Sequence, residues 1–271
     1  MIGRLAIKKL LVGSKRKMVE AQTHIYDDKF FDYIEIGGRR SAELVIGLMR
    51  HYLQVSSVLD VGAGRGVWID EWRRAGVEDI LGVDGSYVDV DRLAVSAKHM
   101  ATFDLSQPFR LDRRFDLVQS LEVAEHIPAA KADVFIDNLV AHGDIVMFSA
   151  AVPGQGGEFH VNEQSYEYWR DKFAVRSFVL LDFIRPNIAT ARRVAPWYRY
   201  NTLLFVHRDA LEKIPAMIRS YEVPEQERIQ NFAPPLWRLR NSILSHLPQP
   251  LVQRIARFKH AAVRAGLPVP N

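Results

Sequence analysis

Short apolar runs alternate with amphipathic stretches from about residue 41 to about residue 208, and this rhythm constrains the fold more than any other feature of the chain. SAELVIGLMRHYL carries Leu44, Val45, Leu48 and Leu53 at roughly helical spacing. SSVLDVGAG is a buried strand ending in glycines, VWIDEWRRAG a helix closed by Gly76, and DILGVDG a second strand. HMATFDL, FDLVQSLE and HGDIVMFSA supply three more strands, with a helix around Ala129–Leu139 ahead of the last. QSYEYWRDKF reads as a helix, and SFVLLDFI and TLLFVHR complete seven strands. Parallel neighbours need a crossover, and the intervening helices provide one. The expected fold is α/β: a doubly wound, mostly parallel seven-stranded sheet with helices on both faces.

This rhythm divides the 271 residues into three parts. Residues 41–208 are the expected core domain, and 1–40 a basic N-terminal extension with a lid. Residues 209–271 are a basic helical extension broken at Pro215, Pro224, Pro234, Pro235, Pro248 and Pro250. There is no cysteine, which excludes disulfides, thiolate metal sites and a cysteine nucleophile. No apolar run reaches the ~20 residues that span a bilayer. The opening MIGRLAIKKLLVGSKRK is interrupted by Lys8 and Lys9, so a cleavable signal peptide is not expected and the cytoplasm is the expected compartment. Of 36 Lys and Arg, six lie in residues 1–19 and six in 236–271, where there is no acid at all. The middle then holds 24 basic against 32 acidic residues. Basic ends on an acidic middle suggest contact with an anionic partner, a membrane surface or nucleic acid.

Asp60-Val61-Gly62-Ala63-Gly64-Arg65-Gly66 sits between the first strand and its helix. Alternate glycines turn the backbone tightly and let it approach a ligand without a Cβ in the way. Asp84 ends the second strand, followed by Gly85, where a carboxylate can accept from both hydroxyls of a ribose. A nicotinamide-binding domain is the competing reading. Its Gly-x-Gly-x-x-Gly fingerprint fails at Val67, and Asp60 would repel a pyrophosphate. A ligand with an ammonium group and no phosphate suits that carboxylate better. A tight turn holding no ligand is the plain alternative.

VLDVGAGRGVW, LGVDGS, Phe103-Asp104-Leu105 and FDLVQSLEVAEHI, in this order, resemble the S-adenosylmethionine (SAM)-dependent methyltransferases of the seven-stranded Rossmann-like class, over roughly residues 26–208. That resemblance implies SAM as cofactor, with Asp60, Gly62, Ala63 and Gly64 along its methionine part and Asp84 with Gly85 at the ribose. It places Asp104 and Leu105 at the adenine edge and Ser120 or Leu121 in the pocket lining. Tyr26 and Tyr33 precede the core where this class carries a lid. PGQGG, HVNEQ and WYRYN are similar to segments of bacterial methyltransferases of surface-glycan clusters, which implies a sugar or glycan acceptor.

After the fourth strand, Glu122, Glu125 and His126 are spaced to share one face of a helical turn, and His160 lies in the loop after the fifth strand. Two carboxylates beside a histidine repel unless a cation sits among them. A mixed carboxylate and imidazole set suits Mn, Zn or Fe, with Mg also open. The pattern resembles the metal site of small-RNA 2′-O-methyltransferases and ubiquinone-pathway O-methyltransferases, which implies metal-assisted O-methylation. Without a metal, His126 or His160 is a candidate general base, or both are structural. The expected activity is SAM-dependent O-methylation of a sugar hydroxyl on a cell-surface or lipid-linked glycan. A catechol-type small molecule, an RNA ribose and a non-catalytic SAM-binding subunit are the alternatives; the acidic middle disfavours nucleic acid.

Other residues carry weaker expectations. Trp68 and Trp72 belong to the core, and Arg185, Trp197, Tyr198 and Asn201 flank a connection suited to substrate contacts. Gly154, Gly156 and Gly157 suggest a mobile loop that positions His160, or simply a turn. In the tail, Ile243, Leu244, Leu247, Leu251, Ile255 and Phe258 recur among basic residues, as in helices on an anionic membrane, or as in helices packed on the core or a second subunit. Ile7, Leu10 and Leu11 with Lys8 and Lys9 are the N-terminal counterpart.

Overall fold

The computed structural model describes residues 28–248 and, in the tail, Leu251, Val252, Arg254, Ile255, Ala256 and Phe258; side chains are described from Gly37 onward. Seven strands form one sheet: β1 (Ser57–Val61), β2 (Asp79–Asp84), β3 (Met100–Thr102), β4 (Leu117–Leu121), β5 (Ile145–Ser149), β6 (Phe178–Leu181) and β7 (Leu203–His207). Their order is β3-β2-β1-β4-β5-β7-β6, parallel except for β7, which runs antiparallel to both β5 and β6. The expected seven-stranded, doubly wound architecture is the observed one. Order reverses between β1 and β4, which opens a crevice at their carboxyl ends.

Both faces of the sheet are covered, and strand periodicity divides the core. Val58, Ile80, Leu117, Met147, Leu204 and Val206 point to one side, against α1 (Asp28–Tyr52), α2 (Val67–Arg74), α5 (Ile184–Ile188) and α6 (Pro196–Asn201). Leu59, Val83, Val118, Phe148 and Phe205 point to the other, against α3 (Ala132–Val140) and α4 (Tyr166–Ala174). Continuous apolar runs rather than alternating ones follow from burial on both faces. Trp68 and Trp72 are core residues as expected, and the Trp72 indole N–H donates to Gln119 Oε1 at 2.8 Å.

Some boundaries differ from the sequence reading. The first helix begins at Asp28, so the division drawn at residues 40 and 41 falls inside one helix. Gly37 and Gly38 do not interrupt it, and Ser41 Oγ donates to the Gly37 carbonyl. The third strand stops at Thr102, leaving Asp104 in an exposed turn where its carboxylate accepts from the backbone N–H and hydroxyl of Ser106. Beyond β7 the chain makes a short 3₁₀ segment, α7 (Ala216–Arg219) and α8 (Pro235–Ser245), followed by helical residues at 251–252 and 254–256. Residues 1–27, including Tyr26 and the apolar-basic segment at Ile7–Leu11, lie outside the described part; Tyr33 falls on α1 with its side chain outside it.

Candidate active site

The glycine loop leaves β1 through three residues in the left-handed region, Gly62, Gly64 and Gly66. A Cβ on Gly62 would collide with Val123, whereas Gly64 faces open space. The loop therefore packs its first glycine on the turn after β4 and turns its second toward the crevice. Asp84 clamps the loop from β2. Its Oδ2 accepts the N–H of Gly64 at 2.6 Å, and Oδ1 accepts the N–H of Gly85 at 2.6 Å and the Tyr87 hydroxyl. A carboxylate oxygen has room for more than one donor, so Oδ2 keeps acceptor capacity toward the crevice.

Asp60 ends up 3% exposed beneath this loop. Burial pushes its carboxyl up to about 7; the neighbouring Gln119 amide opposes the rise and the carboxylate of Asp84 adds to it. Ser120, Leu121 and Leu105 are all buried. Ser120 is fully so, its hydroxyl donating to the Val61 carbonyl at 2.7 Å, which ties β4 to β1.

The acidic and imidazole residues do not assemble as one helical face. Glu122 adopts a left-handed backbone with φ 58°, and the 3₁₀ turn starts only at Ala124. Glu122 therefore lies outside the helical turn that carries Glu125 and His126. Its carboxylate accepts from the amides of Gln155 at 2.8 Å and Asn201 at 3.2 Å. Burial raises the Glu122 pKa, and those hydrogen bonds lower it. The set that does converge is Glu125, His126 and His160, with one ligand atom from each lying within 4.8 Å of the others. Glu122 is outside that set.

Both imidazoles are held by their inner nitrogens. His126 Nδ1 faces the Phe159 carbonyl at 3.3 Å; a carbonyl only accepts, so Nδ1 carries the proton and Nε2 is left free. His160 Nδ1 lies 2.7 Å from Glu163 Oε1, which leaves its Nε2 facing Glu125 Oε1 at 3.9 Å. The rings stand edge to face with centroids 4.9 Å apart. Glu125 is 1% exposed, and its Oε2 has no hydrogen-bond partner. Burial first, and then the Glu122 carboxylate, hold the Glu125 carboxyl well above the ordinary range. His126 reaches solvent along part of its surface, but desolvation of the ring and then the nearby His160 hold its imidazole below its usual value.

Glu163 was not singled out from sequence, yet it organises the loop. Its two carboxylate oxygens accept the N–H groups of Gly154 and Gly156, both at 2.8 Å, as well as His160 Nδ1. Gly157 is required by the ring itself, since a Cβ there would collide with His160. The glycines thus pack around the His160 ring and its Glu163 partner. Gln155 was also missed; its Oε1 accepts from Asn201 Nδ2 at 2.8 Å.

Among the candidate substrate contacts, Arg185 is wholly buried in a two-point ion pair with Asp182 at 2.8 and 2.7 Å, under the ring of Tyr166. Tyr198 is buried edge-on against Trp68, so it cannot stack on a sugar. Asn201 reaches the site through Glu122 and Gln155.

Known proteins bear on this geometry. Over 198 residues the chain is 25% identical to the tRNA U34 carboxymethyltransferase of Pseudomonas syringae pv. syringae; the match covers 62% of this chain and 61% of that relative's own length. A candidate O-methyltransferase structure from Nostoc punctiforme PCC 73102 superposes with a TM-score of 0.51 at 12% identity, covering 65% of this chain and 58% of the other, and shares the fold. A SAH-bound magnesium protoporphyrin IX methyltransferase from Synechocystis PCC 6803 aligns with a TM-score of 0.45 at 19% identity, over 65% of this chain and 87% of the other. The family model described as a methyltransferase domain matches residues 33–173, more than half of the chain and the whole of the glycine loop and the Glu125, His126 and His160 cluster, and this protein belongs to that family.

Proposed function

We propose that the protein transfers the methyl group of SAM to a hydroxyl of a sugar or glycan acceptor, with a divalent cation held by Glu125, His126 and His160. The observation that carries this reading is the anchoring of both imidazoles at Nδ1, by Phe159 and Glu163, which leaves both Nε2 atoms available, with His160 Nε2 3.9 Å from Glu125 Oε1 and the other oxygen of that buried carboxyl, Oε2, unpartnered. Metal-binding histidines are oriented by just such outer acceptors. A buried carboxylate oxygen without a donor is otherwise costly.

SAM supplies the methyl group on a sulfonium cation. Asp84 accepts from the ribose hydroxyls while keeping Gly64 in place, and Asp60 offers a negative charge to the cationic end. The metal supplies Lewis acidity that lowers the pKa of an acceptor hydroxyl. The set contains one carboxylate oxygen and two imidazole nitrogens, which suits Mn, Zn or Fe, with Mg less well matched. Glu122, Gln155 and Asn201 form a linked polar wall next to the cluster, suited to an acceptor with several hydroxyls.

Held below its usual pKa, His126 is neutral at physiological pH, so it can instead take the acceptor's proton directly. A SAM-turnover screen over nucleotide sugars and oligosaccharides separates these routes. The metal reading expects activity to disappear with chelator and return with Mn, Zn, Fe or Mg. Full turnover by chelator-treated, metal-free protein would overturn it in favour of the base.

A further inference from the structure

We propose that the outward face of the C-terminal helices docks on an anionic lipid bilayer. On α8, Leu236, Leu239 and Ile243 are 80%, 57% and 57% exposed, and their spacing places them on one stripe of the helix. Asn241, on the opposite side, is buried. The arrangement repeats further along: Leu251, Ile255 and Phe258 are exposed, while Val252 and Ala256 are buried. Leu244 and Leu247, which sequence spacing groups with the outward set, are half-buried instead. Beside the residues they pack on the protein, these helices thus leave a stripe of large apolar side chains facing solvent, which a helix serving only a core does not.

Charge selects what covers this face. Residues 236–271 contain six Lys and Arg and no acid, and Arg238 and Arg254 on these helices are exposed. Two copies packed face to face would bring like charges together with no counterion of their own. An anionic bilayer accepts the apolar side chains at its headgroup boundary and balances the cations. No described helix is long and apolar enough to cross a membrane, so the contact lies on the surface.

The same helices are bound to the candidate active site. Arg240 donates to the carbonyl of Gln155 at 3.0 Å, the Asn241 backbone lies where a Cβ on Gly154 would be, and Val252 approaches Gly156. The membrane-facing surface and the loop carrying His160 form one packed unit, which places the crevice near an acceptor held at the bilayer. Docking itself does not depend on the identity of that acceptor.

The test is flotation of the full chain with vesicles of mixed phosphatidylglycerol and phosphatidylcholine, against phosphatidylcholine alone, at low and high salt. Expected are about tenfold more binding to the anionic vesicles, its loss in high salt, and a drop of about tenfold in Leu239→Glu/Ile243→Glu. Both residues are exposed, so unchanged melting and SAM binding verify that the variant folds and that the cofactor reading stands apart. Val175→Glu, at an exposed site on another face, should bind like the unaltered chain. Equal or absent binding to both vesicle types overturns the proposal, as does undiminished binding by the double variant. A solution dimer that the double variant splits into monomers also overturns it, assigning the face to a second copy.

Discussion

The Nδ1 atom of His160 lies 2.7 Å from Oε1 of Glu163, and that carboxylate also gathers the N–H groups of Gly154 and Gly156. One side chain, three residues from the histidine, therefore sets its tautomer and its ring direction and folds the loop in front of it.

Glu163→Ala should lower turnover by roughly 10–100-fold, with metal affinity reduced alongside and SAM affinity unchanged, because Glu163 acts on the ring and touches no reactant. Steady-state kinetics with metal titration, beside calorimetry with SAM, checks this. Equal losses in SAM binding would mean that the loop had simply collapsed.

Gly157→Ala should displace the His160 ring, since the added methyl group would occupy its space. Turnover should fall at least as far as in Glu163→Ala, with SAM binding retained. Single-turnover assays and calorimetry read the two effects separately.

Much of the fold was legible because burial on both sheet faces writes itself as apolar runs, and because the glycines after β1 and the acid ending β2 occur at strand ends. The carboxylate cluster was legible only in part. Helical spacing places Glu122 beside Glu125 and His126, but the chain leaves β4 through a left-handed residue, and no pattern of side chains announces that turn. Glu163 was hidden because its role depends on a loop closing on itself; the one available signal was a run of glycines whose N–H groups needed an acceptor. Arg185 reads as a substrate-facing cation until Asp182, three residues earlier, is recognised as its buried partner.

Breaking that pair should cost stability. Arg185→Met leaves the Asp182 carboxylate buried without its partner, and a loss of about 3–5 kcal/mol is expected. Denaturant unfolding measures it. A change below ~1 kcal/mol would show that the pair carries no such weight.

Asp60 gives the site a pH dependence. Its carboxyl is raised from 3.8 to about 7, so it binds its proton more tightly in the folded chain than in the unfolded one. Its contribution to the ligand-free fold is present below pH 3.8 and lost as pH rises through about 7. Cation binding runs the other way: SAM should bind several-fold more tightly at ~pH 8 than at ~pH 6, as the carboxylate forms. Asp60→Asn should flatten this dependence, which calorimetry across the range would record.

Cofactor binding tests the central claim most directly. Calorimetry with SAM, its demethylated product and NAD(H) should show binding of the first two and none of the third. Asp84→Ala should weaken SAM by ~1.5–3 kcal/mol, roughly tenfold to a hundredfold or more. Binding of NAD(H) with no response to SAM would contradict the account.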